Sequence, residues 1–297
     1  MKPNPPSFPH IGSHEIAGTV VALPDAPSDT AKAHPVGTRV GIPGRGYQVC
    51  GTCFECRDPT VDYDGYGYRC SKARSNGLSK DGGFAEYVVV DARQVADIPE
   101  SMTAVTAAPL MCAGVTIYNA LKKCNLAPGQ RVAIIGAGGG LGNLGLQFAQ
   151  AMGLRTIGVD AADGPLELAR SLKTDATIVD ARSVSAQDLV ENIGAEDQKT
   201  DPADFGVGAA VILPESQASF DYGVKLLRNH GVCCVVSFPE QGFNVSARDL
   251  VFRDISVIGK DSCLRPHKTL LIIINTLRHH ARSCQLFARN GSIRSEA

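Results

Sequence analysis

The chain has 297 residues, which is enough for two domains of ordinary size. Its 29 Lys and Arg residues balance 30 Asp and Glu residues, and this near-neutral charge argues against nucleic-acid and anionic-membrane partners. No apolar run reaches the length of a membrane span and the start lacks a signal-peptide core, so a cytoplasmic protein with no membrane partner is expected.

Short β-branched runs, bounded by Gly and Pro, fill the first part of the chain. Strands are predicted at residues 15–23, 37–41 and 85–90. The pattern changes near residue 115, so the sequence predicts a first, strand-rich domain over residues 1–115.

Four cysteines form a compact pattern inside this first domain, in a lobe at residues 50–70. Cys50, Cys53 and Cys56 follow a C-x2-C-x2-C spacing, and Cys70 supplies a fourth thiol. Three thiolates in one tight turn, with a fourth that closes the loop, match the all-sulfur tetrahedron of a structural Zn²⁺. Buried thiols or disulfides are the alternative, but a reducing compartment favours metal binding.

Longer periodic segments alternate with apolar strands after residue 115. Strands are predicted at residues 131–135, 155–159, 176–179, 209–213, 232–237 and 255–258, and helices notably at 141–152 and 216–229. This alternation with short loops predicts an α/β domain over residues 116–259, built as a doubly wound parallel sheet covered on both faces. Residues 260–297 lack this punctuation and form a weakly specified tail, in which 270–277 is the candidate helix.

A glycine-rich turn joins the first of these strands to the first long helix. Its candidate cofactor-binding residues are Gly136, Gly138, Gly139, Gly140, Leu141 and Gly142. Gly136 permits the sharp turn, the glycines at 138 to 140 let the backbone approach a pyrophosphate, and Gly142 lets the helix pack closely. Strand, glycines and helix in this order predict a dinucleotide site, and a plain turn without a ligand is the alternative.

Asp160 ends the strand that follows, 18 residues after Gly142. A carboxylate at this position accepts hydrogen bonds from both ribose hydroxyls of an adenosine. Because it would repel a 2′-phosphate, the predicted cofactor is NAD rather than NADP. A solvated Asp160 with no ligand is the alternative.

Five motifs occur in chain order: the Gly-Ser-His-Glu-Ile-Ala-Gly segment at 12–18, the four-cysteine lobe, the segments 81–87 and 108–118, and the glycine turn. Together they resemble the motifs of the zinc-dependent alcohol dehydrogenases of the medium-chain dehydrogenase/reductase superfamily. The resemblance implies a GroES-like β-barrel domain, incomplete in this chain, in front of a Rossmann dinucleotide-binding domain.

The resemblance also implies a catalytic zinc site. His14 corresponds to a ligand of the catalytic zinc, Glu15 to the acid beside it, and Cys112 to a thiolate ligand. A zinc ion with an open coordination position polarises an alcohol oxygen, so that hydride can leave carbon for a nicotinamide. The implied activity is that of a zinc-dependent oxidoreductase, which transfers a hydride between NAD and a small-molecule alcohol or its aldehyde or ketone.

The chain departs from the family pattern at several places. The family has a further cysteine ligand well before its His-Glu pair, yet only thirteen residues precede His14 and none is Cys. The stretch from 57 to 69 is longer than the family's, and Pro165 replaces a common lysine. These departures predict a chain truncated at its amino terminus and aberrant at its carboxyl terminus.

The departures leave other functions open. The missing ligand motivates a catalytically silent nucleotide-binding protein as the alternative, and a zinc-free reductase of the same superfamily as a third possibility. Unpaired strand edges around residues 15–23 and 85–90 invite association, so a homo-oligomer is expected. The tail at 260–297 is expected to pack weakly and to be cut first by a protease.

Overall fold

A computed structural model of the chain describes residues 8–57, 67 and 69–259. Contacts within the chain group residues 8–115 into one compact unit and residues 116–259 into another. The weakly specified tail at 260–297, with its candidate helix, lies outside the described residues.

A small antiparallel sheet organises the first unit. Its strands are β1 (Glu15–Thr19), β2 (Arg39–Pro43) and β3 (Ala96–Asp97), in the order β1-β2-β3. Apolar side chains from one face form a local core of Ile16, Val40, Ile42 and Val95. The register pairs Glu15 with Pro43, so the residues just outside the ladder, His14 and Gly44, are brought side by side.

Short helices complete this unit. They are α1 (Asp29–Lys32), α2 (Phe54–Arg57), α3 (Ala104–Ala107) and a 3₁₀ segment at Ala108–Met111. Ser28 caps α1 by accepting the Ala31 N–H at 3.2 Å, and Thr103 caps α3 in the same way through the Thr106 N–H. Each cap satisfies an amide that the helix itself cannot pair.

The strand predicted at residues 85–90 is wrong: the segment is irregular. Its side chains still alternate, because Val88 and Val90 pack against the local core while Tyr87 and Val89 are 68% and 75% exposed. Among the described residues, no carbonyl accepts a backbone hydrogen bond from the amides of this segment. An alternating pattern therefore predicts which face is buried, whereas a strand also requires a partner.

A six-stranded sheet forms the centre of the second unit, with all neighbouring strands parallel. The strands are β4 (Arg131–Ile135), β5 (Arg155–Asp160), β6 (Thr177–Asp180), β7 (Val207–Ile212), β8 (Leu227–Val235) and β9 (Ser256–Gly259). Their order is β6-β5-β4-β7-β8-β9, so the chain changes direction of travel between β4 and β7. The carboxyl ends of strands at such a switch point are the usual ligand-binding edge of an open α/β sheet.

One helix, α4 (Ala113–Lys123), precedes these strands, and the other helices connect them. The others are α5 (Gly140–Ala151), α6 (Asp163–Ser171), α7 (Ala186–Glu196), α8 (Gln217–Leu226) and α9 (Ala247–Phe252), with a 3₁₀ segment at Pro202–Asp204. The predicted doubly wound α/β architecture is confirmed. The helix predicted at 216–229 ends earlier, because the buried Leu227 pairs with Val207 and already belongs to β8.

A network of ion pairs holds the amino ends of β4 and β5. The Arg131 side chain, only 8% exposed, donates to Asp197 at 2.8 Å and 2.7 Å and to Glu196 at 2.8 Å. Arg155 adds a third contact to Asp197 at 2.5 Å. Hydrogen bonds from Arg131 lower the pKa of Asp197 to about 2, and they tie the end of α7 to the sheet. These groups line a cleft of about 560 Å³ whose charges are largely neutralised within the protein.

No single helix within residues 8–57 and 69–259 is long and apolar enough to cross a membrane. One pair of helices, Ala104–Met111 with Ala113–Lys123, meets the length and composition criteria only jointly, with a bend of 50° between them.

Candidate metal and cofactor sites

The four cysteines of the predicted lobe lie together. Their Sγ atoms are all within 4.8 Å of one another, and all four are free thiols. Cys50 and Cys53 lie in the segment that leads into α2, Cys56 lies within α2, and Cys70 comes from a later part of the chain. Such mutual distances suit four thiolates around one metal ion better than two disulfides.

The surroundings favour the thiolate form of Cys50 and Cys70, whose pKa values are lowered, whereas burial and the neighbouring thiols raise the pKa of Cys53 to about 11. The Cys50 Sγ accepts hydrogen bonds from the Thr52 hydroxyl at 3.5 Å, the Thr52 N–H at 3.5 Å and the Cys53 N–H at 3.3 Å. These donors lower the pKa of Cys50 to about 5. The Cys70 Sγ accepts the Cys50 N–H at 3.4 Å. The donor set therefore fits a structural Zn²⁺, because thiolates are its preferred ligands and N–H donors stabilise them.

The residues predicted to hold a catalytic zinc, His14, Glu15 and Cys112, all belong to the first unit and are half-buried. Glu15 begins β1, and its Oε1 accepts the N–H of Ala113 at 2.9 Å. Ala113 opens α4 and follows Cys112 directly, so this bond brings the Glu15 carboxylate to the chain beside Cys112. A carboxylate at this helix start also complements the partial positive charge there.

His14 packs against a residue that the sequence analysis did not single out. A Cβ on Gly44 would lie 2.5 Å from the Cβ of His14, so only glycine fits beneath this histidine. The signal in the sequence is the Pro43-Gly44 pair that ends β2. Its meaning depends on the β1–β2 register, which the sequence did not reveal.

These three residues do not form a compact ligand set in this structure. Within the described ranges, the four cysteines are the one group of three or more His, Cys, Asp or Glu residues whose ligand atoms all lie within 4.8 Å of each other. His14, Glu15 and Cys112 have ligand atoms of suitable chemistry, but they stay a predicted site.

The glycine turn leads from β4 into α5. Gly136 has a φ of +85°, and its N–H donates to the Val159 carbonyl at 2.8 Å. A Cβ on Gly142 would lie 2.1 Å from the Gly136 carbonyl oxygen, so α5 can start this close to the turn only with glycine at 142. The turn and the first helical residues are therefore locked together.

Gly139 and Gly140 present the open side of this turn. Gly139 caps α5, Gly140 begins it, and a Cβ on Gly140 would meet no atom within 4 Å. Leu141 lies in the same first turn, where the helix leaves its amides unpaired. Unpaired amides at a helix start, next to open space, suit the pyrophosphate of a dinucleotide.

Gly138 also makes a packing contact within the second unit. A Cβ there would lie 2.0 Å from the Pro165 carbonyl oxygen, so Gly138 packs against the first turn of α6. Its N–H donates to Asp160 Oδ2 at 3.0 Å, and the Ala161 N–H donates to Oδ1 at 2.8 Å. The amide of Gly138 thus orients the carboxylate of Asp160 at the end of β5, beside the open side of the turn.

Replacing Cys53 with Ser is expected to release about one zinc ion per chain and to lower thermal stability, because a structural zinc contributes folding free energy directly. NAD binding should persist, since the glycine turn belongs to the other unit. Atomic absorption and a thermal melt measure both effects. The buried Cys124, outside the cluster, provides the control Cys124→Ser, which should keep the zinc content. Unchanged zinc in Cys53→Ser would mean that this lobe holds no metal.

Two alanine variants separate packing from cofactor contact. Gly142→Ala should lower the free energy of unfolding by about 1–3 kcal/mol, because its methyl group collides with the Gly136 carbonyl. Gly140→Ala should leave stability within about 1 kcal/mol, because its methyl group enters open space. That methyl group should nevertheless weaken NAD binding by about tenfold, or 1.4 kcal/mol. Urea denaturation and NAD titration measure the two effects, and equal NAD affinity in Gly140→Ala and the unmodified chain would contradict this placement of the pyrophosphate.

Comparison with protein families identifies both parts of the chain. The family described as "Alcohol dehydrogenase GroES-like domain" matches residues 1–100, and "Zinc-binding dehydrogenase" matches residues 140–270. The first match confirms the predicted GroES-like domain, and the second agrees with the zinc and dinucleotide chemistry of the predicted sites.

Known proteins give the same result. An alcohol dehydrogenase of Geobacillus stearothermophilus is 36% identical over 257 residues, which cover 86% of this chain and 69% of that protein. Alcohol dehydrogenase 1 of Emericella nidulans is 34% identical over 261 residues, with the same coverage. The crystal structure of the alcohol dehydrogenase from Aeropyrum pernix matches with a TM-score of 0.71 and 26% identity, over 94% of this chain and 74% of that one. The chain therefore belongs to the zinc-dependent alcohol dehydrogenases of the medium-chain dehydrogenase/reductase superfamily.

Proposed function

We propose that this chain is an NAD-dependent alcohol dehydrogenase, which interconverts a primary or secondary alcohol and its aldehyde or ketone. The observation that supports it most directly is the Asp160 carboxylate, fixed by the N–H groups of Gly138 and Ala161 beside the open glycine turn. The reaction itself is inferred from the relatives, which are named alcohol dehydrogenases. None of the relatives named above favours the silent nucleotide-binding alternative.

The cofactor contacts follow from the geometry of the turn. The amides of Gly140, Leu141 and Gly142, at the start of α5, donate to the pyrophosphate. The Asp160 carboxylate, already aimed by two backbone amides, accepts hydrogen bonds from the ribose hydroxyls. Because its orientation is fixed before the cofactor binds, little side-chain entropy is lost on binding.

The metal contacts divide between two sites. The four cysteines of the lobe hold a structural zinc. His14 and Cys112 are assigned as ligands of a catalytic zinc, which supplies a Lewis acid for the alcohol oxygen when it is bound. Glu15, through its bond to the Ala113 N–H, orients a carboxylate beside Cys112. Gly44 leaves the space in which the His14 side chain packs.

Turnover tests the reaction. Zinc-loaded protein, freed of loose metal by dialysis, should reduce NAD with simple alcohols, and a strong chelator should abolish this activity. His14→Ala and Cys112→Ser should each lower turnover by at least about 100-fold while NAD still binds. Absorbance of NADH and fluorescence titration measure the two quantities. A folded, zinc-loaded chain with no turnover on any alcohol, aldehyde or ketone would refute the proposal.

We also propose that the chain is a homo-oligomer, assembled through the β9 edge of the sheet. In the described residues β9 pairs with β8 alone, and an unpaired edge invites association. The neighbouring helix α9 carries Val251 and Phe252, which are 71% and 78% exposed. Exposed apolar side chains that are adjacent in the chain are typical of a contact surface between subunits.

Replacing Val251 with Asp should shift the chain toward the monomer, because a charge on an apolar contact must be buried without a partner. Light scattering coupled to size-exclusion chromatography measures the mass. The matched control is Val105→Asp, since Val105 is similarly exposed, at 79%, but lies on α3 in the other unit. A monomeric unmodified chain, or identical masses for all three proteins, would argue against this contact surface.

A further inference from the structure

Arg182 lies at the carboxyl ends of β5 and β6, where two carboxylates hold its side chain. The Nη2 of Arg182 donates to Asp163 Oδ1 at 2.6 Å and to Asp180 Oδ2 at 2.7 Å. Its Nε donates to both carboxylate oxygens of Asp180, at 3.0 Å and 3.1 Å. Asp180 ends β6 and Asp163 opens α6, so the guanidinium joins a strand end to a helix start.

This guanidinium lies close to the carboxylate assigned to the ribose. Asp160 and Asp180 are register partners in β5 and β6, and the Ala181 N–H donates to the Asp160 carbonyl at 2.9 Å. Asp163 follows Asp160 by three residues in the chain. The arginine therefore lies on the β6 side of Asp160, at the same edge of the sheet.

The charges at this edge are mostly negative. The carboxylates of Asp163 and Asp180 are bonded to the Arg182 guanidinium, and Asp160 ends the neighbouring strand. Arg170 adds a second positive charge near Asp180. Arg182 lowers the pKa of Asp180 to about 2, so that carboxylate stays ionised at neutral pH. The carboxylates thus offset the positive charge that Arg182 would otherwise present to a ligand.

Arg182 nevertheless retains unused donors. Its Nη1 makes no hydrogen bond to another residue in the described parts of the chain, and its side chain is 49% exposed. A guanidinium has five N–H donors in a planar fork that suits the oxygens of a phosphate. The side chain is therefore able to bind a phosphate once its acidic partners are weakened.

We propose that Arg182 is a second determinant of cofactor selectivity, held by Asp163 and Asp180 in a state that disfavours the 2′-phosphate of NADP. The inference rests on the proposed binding of the NAD ribose by Asp160. Substituting Asp160 alone removes one charge that repels the 2′-phosphate, but Arg182 stays bonded to Asp163 and Asp180. Removing the Asp163 carboxylate as well frees one N–H of Nη2, while the other stays bonded to Asp180. The freed N–H then donates to the 2′-phosphate as a charge-assisted hydrogen bond.

The test is a set of dissociation constants for NAD and NADP, measured by fluorescence or calorimetric titration without substrate. Asp160→Gly should lower the ratio of the NADP dissociation constant to the NAD dissociation constant. Adding Asp163→Asn should strengthen NADP binding by a further threefold to tenfold, roughly the effect of one charge-assisted contact. Adding Arg182→Gln to that double variant should remove this gain, while the NAD constant changes by less than about twofold.

Two controls separate selectivity from folding. Arg182→Lys in the same double variant keeps the charge and should retain most of the gain in NADP affinity. If Arg182 had only a structural role, Arg182→Lys would lose that gain as Arg182→Gln does. Circular dichroism melts should show similar stability for all variants. An Arg182→Gln change that leaves the NADP constant of the double variant unaltered would overturn the inference alone. Absence of NAD binding by the unmodified chain would overturn the proposed cofactor and the inference together.

Discussion

The close approach of Gly142 to the carbonyl of Gly136 is the constraint on which the cofactor edge depends. It lets α5 begin directly on the turn after β4, so that the first amides of the helix face the end of the sheet. The same turn places the Gly138 N–H against Asp160 and its Cα against Pro165. One steric requirement thus fixes the proposed donors for a pyrophosphate and the proposed acceptor for a ribose relative to each other.

The first unit is organised by different forces. Its sheet has three strands, and its local core contains four buried aliphatic residues. The lobe has a separate cluster in which Val49 is the buried aliphatic residue beside the thiols of Cys56 and Cys70, and segments with so few apolar contacts commonly rely on a metal. The four gathered thiols of the lobe fit that need, because coordination bonds order a segment that has few apolar contacts. In this unit the proposed zinc would therefore contribute to the stability of the fold as well as occupy a site.

The features that could be predicted from the sequence depend on residues that are close together in the chain. The apolar run of β4, the glycines and the start of α5 are adjacent in the chain, so their pattern carried the fold and most of the cofactor edge. Features that depend on distant partners escaped prediction. Residues 85–90 alternate like a strand but lack a partner among the described residues, and Leu227 joins β8 only because it pairs with Val207. The packing of Gly138 on Pro165 is likewise invisible to spacing.

The ion-pair network of Arg131 and Asp197 makes the two ends of the parallel sheet chemically unequal. At the amino ends, the charged groups form ion pairs with one another, so the surface there is nearly neutral. At the carboxyl ends, the amides at the start of α5 and the carboxylate of Asp160 can still form hydrogen bonds to a ligand. Substitutions at the two ends of the sheet are therefore expected to have separable effects in this unit. Those at the amino ends should change its stability, and those at the carboxyl ends should change which ligands it binds.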